Sequence, residues 1–271
     1  MKRFSLLIVA AGLLASACQS RGAVGIEPAP SGSRSSPGSP TPTQPSPTVT
    51  PTEPGRTHTF EVWFALDGKL FVTKRTEPFS AGVAQLALDS LLGGPTSAEA
   101  RAGVETALPR VVTADITSLA NGVATVQMGD EFYQASGDAL RMRRAQVVYT
   151  LTQYSTIKRV QFVTGAGNVE GRTWSRANLK ALLPAILVES PIIGSRVSSP
   201  VTVSGTANVF EATVSLRILD ENGKEIARTF TTATCGSGCR GDYSVSVPFS
   251  VDHQQRGTIE VFESSAQDGS A

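Results

Sequence analysis

Apolar residues recur at every second position soon after residue 58. Phe60, Val62, Phe64 and Leu66 alternate with more polar neighbours, the period of a half-buried strand. Asp67-Gly68 then predicts a tight turn into residues 69–73, so the two runs read as a hairpin. At Val83, Leu86, Ala87, Ser90 and Leu91 the period becomes helical, with Ser80 the expected N-cap and Gly93-Gly94-Pro95 the stop. Asn121-Gly122 separates the runs 111–119 and 123–128 and predicts a second hairpin. A second helix over 138–154 should bury Leu140, Val147, Val148 and Leu151, and 157–163 reads as a closing strand. Strands and helices alternate in this way through residues 58–164. The expected fold is α+β, a mixed sheet with its helices on one face.

Residues 165–190 read as a connector with a short helix capped by Ser175, where Trp174 and Leu179 form a hydrophobic staple. Such a connector should pack and so orient what it joins. Over residues 191–271 only short alternating runs remain, at 201–205, 212–219, 225–234, 243–249 and 258–263. Turn residues at Asn208, Asn222-Gly223, 236–241 and Gly257 separate them. About seven strands in some eighty residues point to an immunoglobulin-like β-sandwich.

The first 57 residues follow neither pattern. Residues 1–17 carry Lys2 and Arg3, an apolar run over 6–14 and small residues at 15–17, the three regions of a secretory signal peptide. The apolar run is shorter than the roughly 20 residues that a membrane-spanning helix needs. Ala15-Ser16-Ala17-Cys18 resembles a lipobox, in which cleavage precedes a cysteine carrying diacylglyceryl and palmitate-type chains. Ala15 departs from the usual leucine, and Ala15-x-Ala17 equally suits ordinary signal peptidase at the same bond. From Cys18 to Thr57 the chain is dominated by Pro, Ser, Thr and Gly and holds nine of the sixteen prolines, a composition that predicts a disordered tether. Stretched as polyproline II it would reach on the order of 100 Å.

The chain has three cysteines, and Cys235 and Cys239 lie four apart near its far end. Their spacing is not that of a redox C-x-x-C, and the intervening glycines let a short loop close. A structural disulfide is expected in an oxidising exterior, against a reduced inert pair or a metal or redox role. That pairing leaves Cys18 odd, as lipidation requires.

Charge and candidate chemistry narrow the function further. Lys and Arg number 24 against 23 Asp and Glu, and removing Lys2 and Arg3 leaves a net −1. No basic face for nucleic acid is implied. The two histidines, His58 and His253, stand in no nucleophile motif, and too few Cys and His remain for a zinc site. Catalytic, metal and cofactor residues are therefore expected to be none. Asp130, Glu131 and Asp138 could serve as acid and base on a polymer, although acidic residues at a helix start ordinarily favour its dipole. Arg141, Arg143 and Arg144 could hold an anion, although such residues ordinarily form a solvated face.

Beyond these patterns, residues 60–163 resemble the GerMN domain of sporulation and spore-germination proteins. The motifs are "LLGGPTSAE", "GVETALP", "NGVATVQMGDEF" and "RAQVVYTLTQYSTIKRVQF". Residues 187–270 resemble the immunoglobulin-like domain of bacterial spore germination, through "SPVTVSGTANVFEATVSLRILDENGKEIA" and "VFESSAQDGS". The resemblance implies a fold similar to ring-building modules of envelope assemblies, with no catalytic residues to carry over. The expectation is a non-enzymatic binding or assembly module on the outer face of a cell membrane. Its lipid on Cys18 would hold it there, and other envelope proteins or copies of itself would be its partners. The alternative is an enzyme, or an accessory of one, acting on cell-wall polymer.

Overall fold

The computed structural model describes residues 4–10 and 55–263. Cys18 and the tether up to residue 54 lie outside the described residues. Residues 4–10, within the expected signal peptide, form strand β1 (Phe4–Ala10).

The α+β domain opens with β2 (Thr57–Leu66) and β3 (Lys69–Pro78), paired in register from Thr57↔Pro78 to Leu66↔Lys69. Asp67 and Gly68 turn the hairpin with φ of 51° and 69°, the left-handed pair that a two-residue turn demands. Helix α1 (Val83–Leu92) buries Ala87, Leu88 and Leu91. Ser80 does not cap it: the hydroxyl accepts the Gly82 amide at 3.2 Å, and Gly82 itself stands at the N-cap. The serine lies too far before Val83 to reach the first turn. Helix α2 (Ser97–Arg101) starts in a capping box, with the Glu99 amide on the Thr96 hydroxyl and the Thr96 amide on Glu99.

Strands β4 (Ala114–Ala120) and β5 (Val123–Met128) turn at Asn121 and Gly122, both at positive φ. The chain then crosses through α3 (Gly137–Leu151) to β6 (Arg159–Thr164), which lies parallel to β5. β7 (Val169–Trp174) adds antiparallel to β6 and completes a mixed sheet of order β4-β5-β6-β7. Residues 169–174, read from sequence as connector, thus belong to this sheet. The hairpin β2-β3 is a separate two-stranded sheet, and α1 and α3 pack against β2. The buried row Ala124, Val126, Met128, Val160 and Phe162 faces the core, where Phe132 stacks on Phe162 with 5.3 Å between ring centroids.

Helix α4 (Arg176–Leu179) packs on α3 and buries Leu179 completely. The second domain begins before Pro191, with β8 (Ile186–Ser190), followed by β9 (Arg196–Val197) and β10 (Val201–Ala207). β11 (Thr213–Leu219), β12 (Glu225–Thr232), β13 (Gly241–Val247) and β14 (Arg256–Phe262) follow. One sheet runs β13-β10-β8 and the other β12-β11-β14-β1-β9, an immunoglobulin-like sandwich around Val203, Val214, Leu216, Ile259 and Val261. β1 is antiparallel to β14, from Phe4↔Val261 to Val9↔Arg256. Within this compact unit β3 lies against β8, and the Lys69 ammonium donates to the Ala181 carbonyl at 2.9 Å.

Candidate functional site

The side chains that sequence singled out for chemistry are mostly engaged in holding the fold. Asp130 and Glu131 begin the 3-10 turn Asp130–Tyr133, and Asp138 stands exposed in the first turn of α3. Arg143 donates from Nε to the Ala107 carbonyl at 2.9 Å, and from Nη1 to the carbonyls of Glu131 and Phe132 at 2.7 Å. Arg144 pairs with Glu170 at 2.7 Å, and its guanidinium lies 5.0 Å from the Trp174 ring centroid. Arg143 and Arg144 therefore form neither an anion patch nor a solvated face. They tie α3 to the preceding loops and to β7. Sequence periodicity placed them outside because it does not see the loops folding over that face.

His58 stacks on Phe79 with ring centroids 4.6 Å apart, and His253 meets Glu221 at 3.3 Å in an exposed loop. Cys235 and Cys239 form a disulfide with Cα atoms 5.7 Å apart. Among the described residues no group of three or more His, Cys, Asp or Glu is placed to hold a metal ion. Nor is any helix among them long and apolar enough to cross a membrane.

What sequence reading missed is the way strand edges are closed. The side of β2 not paired to β3 meets a polar stripe on α3. The Glu61 amide donates to Gln153 Oε1 at 2.7 Å and Gln153 Nε2 returns a bond to the Glu61 carbonyl at 2.8 Å. The Trp63 amide donates to Thr150 Oγ1, and its carbonyl accepts from Gln146 Nε2. Ala65 and Glu105 then exchange two backbone bonds of 2.8 Å. Gln146 and Thr150 stand on one face of α3 and Gln153 in the turn just past its end, so these side chains act as a third strand for β2. Gln85 of α1 does the same for β4, bonding the Ala114 carbonyl and the Ile116 amide.

Buried charge in this domain is also paired. Glu99, 1% exposed, receives Arg75 through both guanidinium nitrogens at 2.8 and 2.6 Å and the Thr73 hydroxyl at 2.6 Å. Burial alone would raise its carboxyl, but the bonds from Arg75, Thr73 and Thr96 outweigh it and hold the group below the usual range. Burial pushes the Tyr133 phenol up to about 12, reinforced by Glu170, and its hydroxyl has no hydrogen-bond partner among the described residues.

Arg176 links α4 to α3, donating to the Tyr149 carbonyl and the Thr152 hydroxyl while lying over the Trp63 and Tyr149 rings at 5.3 and 4.9 Å. Glu189 on β8 is raised by burial and by Glu61 and Asp242, against Lys74 and Arg176.

Large apolar side chains stand exposed on both domains, among them Phe79, Val111, Leu119 and Val169 on the first. Phe210 and Phe230 are exposed on the sandwich, where a small apolar recess of about 20 Å³ opens among Val197, Val201, Ile218, Phe249, Val251 and Gly257. In its larger sheet β14 lies between β11 and, among the described residues, β1.

Residues 61–167 match the family model described as sporulation and spore germination, and residues 185–270 that of the immunoglobulin-like domain of bacterial spore germination. Among solved structures, the chain is similar to the tandem GerMN domains of the sporulation protein GerM from Bacillus subtilis. The identity is 16% over 72% of this chain and 62% of that one, with a TM-score of 0.38. The chain thus spans less than two thirds of that protein's length. The first GerMN domain of the same protein is 23% identical over 52% of this chain and 94% of its own, with a TM-score of 0.34. A putative lipoprotein from Clostridium perfringens is 12% identical over 47% of this chain and 93% of its own, with a TM-score of 0.31. No curated protein matches the chain.

Proposed function

From a chain that carries a sporulation and spore germination domain followed by the immunoglobulin-like domain of bacterial spore germination, we propose a lipid-anchored envelope protein that binds or assembles other proteins without catalysis. The leader over residues 1–17 is removed, Cys18 takes the lipid, and the tether holds the two domains clear of the extracytoplasmic face. Two or three acyl chains anchor stably where one does so only marginally.

The observation that carries the reading is the deployment of polar side chains. Arg75, Glu99, Arg143, Arg144, Glu170 and Gln146 meet partners within the fold, while large apolar side chains stand exposed on both domains, Phe79, Val111, Leu119 and Val169 on the first and Phe210 and Phe230 on the second. The cell-wall enzyme reading gains no support from Asp130 and Glu131, which sit at a turn that Arg143 braces through the Glu131 and Phe132 carbonyls.

Intact mass of the protein from its native membrane tests the anchor, expected as a chain beginning at an acylated Cys18. An unmodified Cys18 would overturn it. Crosslinking in the same membranes, followed by sedimentation, tests assembly, and a strict monomer with no captured protein would overturn that part. Release of wall fragments that disappears in Asp130→Ala and Glu131→Ala would restore the enzyme reading.

A further inference from the structure

One end of the sandwich holds its backbone in a form that its residue types resist. Among the described residues, five other than glycine stand at positive φ. Asp67 and Asn121 do so in hairpin turns, and their short polar side chains tolerate it. The other three are Glu211 at 51°, Ala212 at 56° and Ser237 at 53°, types that avoid the left-handed region. They lie together, the Glu211 amide donating to Ser237 Oγ at 3.1 Å. Backbone of this kind persists only where its surroundings over-determine it.

Those surroundings are the loop that Cys235 and Cys239 close. The Ser237 amide donates to the Val209 carbonyl at 2.9 Å and the Gly238 amide to Asn208 Oδ1 at 3.0 Å. Gly236 lies so close that a Cβ there would stand 2.4 Å from the Ala212 nitrogen. Residues 236–238 are all inside the ring that the disulfide closes, so whatever holds the ring holds residues 208–212 against it. The segment they shape buries Val209 and leaves Phe210 60% exposed. Outside the ring the strands are joined independently: the Thr234 amide donates to the Asp242 carbonyl and the Asp242 amide to Thr234 Oγ1, both at 2.9 Å. We propose that the Cys235–Cys239 disulfide is a redox-sensitive latch, which keeps residues 208–212 and the exposed Phe210 in this strained form and on reduction lets them relax while the sandwich stays folded.

A dithiol reductant supplies the two electrons and two protons that opening requires. One of its thiolates attacks Cys239, the more exposed of the pair; the S–S bond breaks and Cys235 leaves as a thiolate that takes up a proton. The second thiol of the reductant then displaces Cys239, which is protonated in turn, and the reductant departs as a cyclic disulfide. The latch does not depend on whether Cys18 carries a lipid.

The test compares amide exchange in the full chain before and after dithiothreitol, with reduction verified by alkylation of Cys235 and Cys239. The amides of Glu211, Ser237 and Gly238 should exchange about tenfold or more faster in the reduced chain, with those of Val203, Leu216 and Val261 unchanged. Equal exchange at 211, 237 and 238 in both forms overturns the latch. A matching rise at Val203, Leu216 and Val261 also overturns it, because the disulfide would then be a staple of the whole domain. Glu211→Gly combined with Ala212→Gly removes the left-handed cost, so the same ratio should shrink several-fold. A ratio as large as the parent's would show that strain does not drive the relaxation and would overturn the proposal on that ground.

Discussion

Strands β2 and β14 each have a second side beyond the partner β3 or β11, and the two domains cover that side in different ways. In the α+β domain Gln146, Thr150 and Gln153 reach from α3 to the Trp63 and Glu61 backbone, at sequence separations of 83 to 92. In the sandwich the equivalent side of β14 is met, among the described residues, by the backbone of residues 4–10. A helix packed beside a strand can lend amide side chains to its edge, while a two-sheet sandwich has only further strands to offer. The first arrangement seals a strand edge with side chains, and the second with backbone pairing.

Removing the charge at the centre of the closed domain should have the largest effect. Glu99→Ala leaves Arg75 in a mostly buried site without its carboxylate, and about 3–5 kcal/mol of stability should be lost, read as a fall in denaturant midpoint. Its pH dependence follows from a folded value held below the ordinary one. The contribution is complete above the unfolded value of 4.5 and disappears as pH falls through the folded value.

Opening the closed edge comes next. Gln146→Ala strips the Trp63 carbonyl and the Ala107 amide of their partners at a fully buried site, and about 2–3 kcal/mol should be lost. With Thr150→Val and Gln153→Ala added, the chain should also begin to self-associate through β2, visible by sedimentation. A monomeric triple variant would show that edge closure is not what keeps this domain apart.

Replacing Cys235 and Cys239 with serine should cost about 2 kcal/mol, the entropy of a five-residue loop. The effect should stay in the sandwich, leaving amide protection of β2 unchanged.

The smallest effect is at the junction of the two domains. Glu189 has a folded value raised by burial and by its acidic neighbours, so the folded chain binds that proton more tightly than the unfolded one. Stability from this group therefore falls as pH rises above 4.5 toward the folded value, opposite in sign to Glu99. Glu189→Gln should be at least as stable as the parent at neutral pH and should lose that part of the slope in thermal melts.

Much of the architecture could be read from local pattern because it is locally determined. The turns at Asp67-Gly68 and Asn121-Gly122 adopt the left-handed φ their residue types favour, and Cys235 and Cys239 close the short loop their spacing permits. The functional surface was less legible. Gln146, Thr150 and Gln153 look like an ordinary polar stripe until α3 lies beside β2, and Arg143 and Arg144 look solvated until residues 107, 131–132 and 170 surround them.

Alone, the sequence determined the hairpins β2-β3 and β4-β5 with their turns, the helices α1 and α3, and the short loop that Cys235 and Cys239 close. Periodicity and turn chemistry act over a few residues, which is why they carry that much. Tertiary structure decided that β7 joins the first sheet, that β8 opens the second domain, and which strand edges are sealed. A backbone amide is the same group in every residue, so whether its edge is covered depends only on what the fold brings against it.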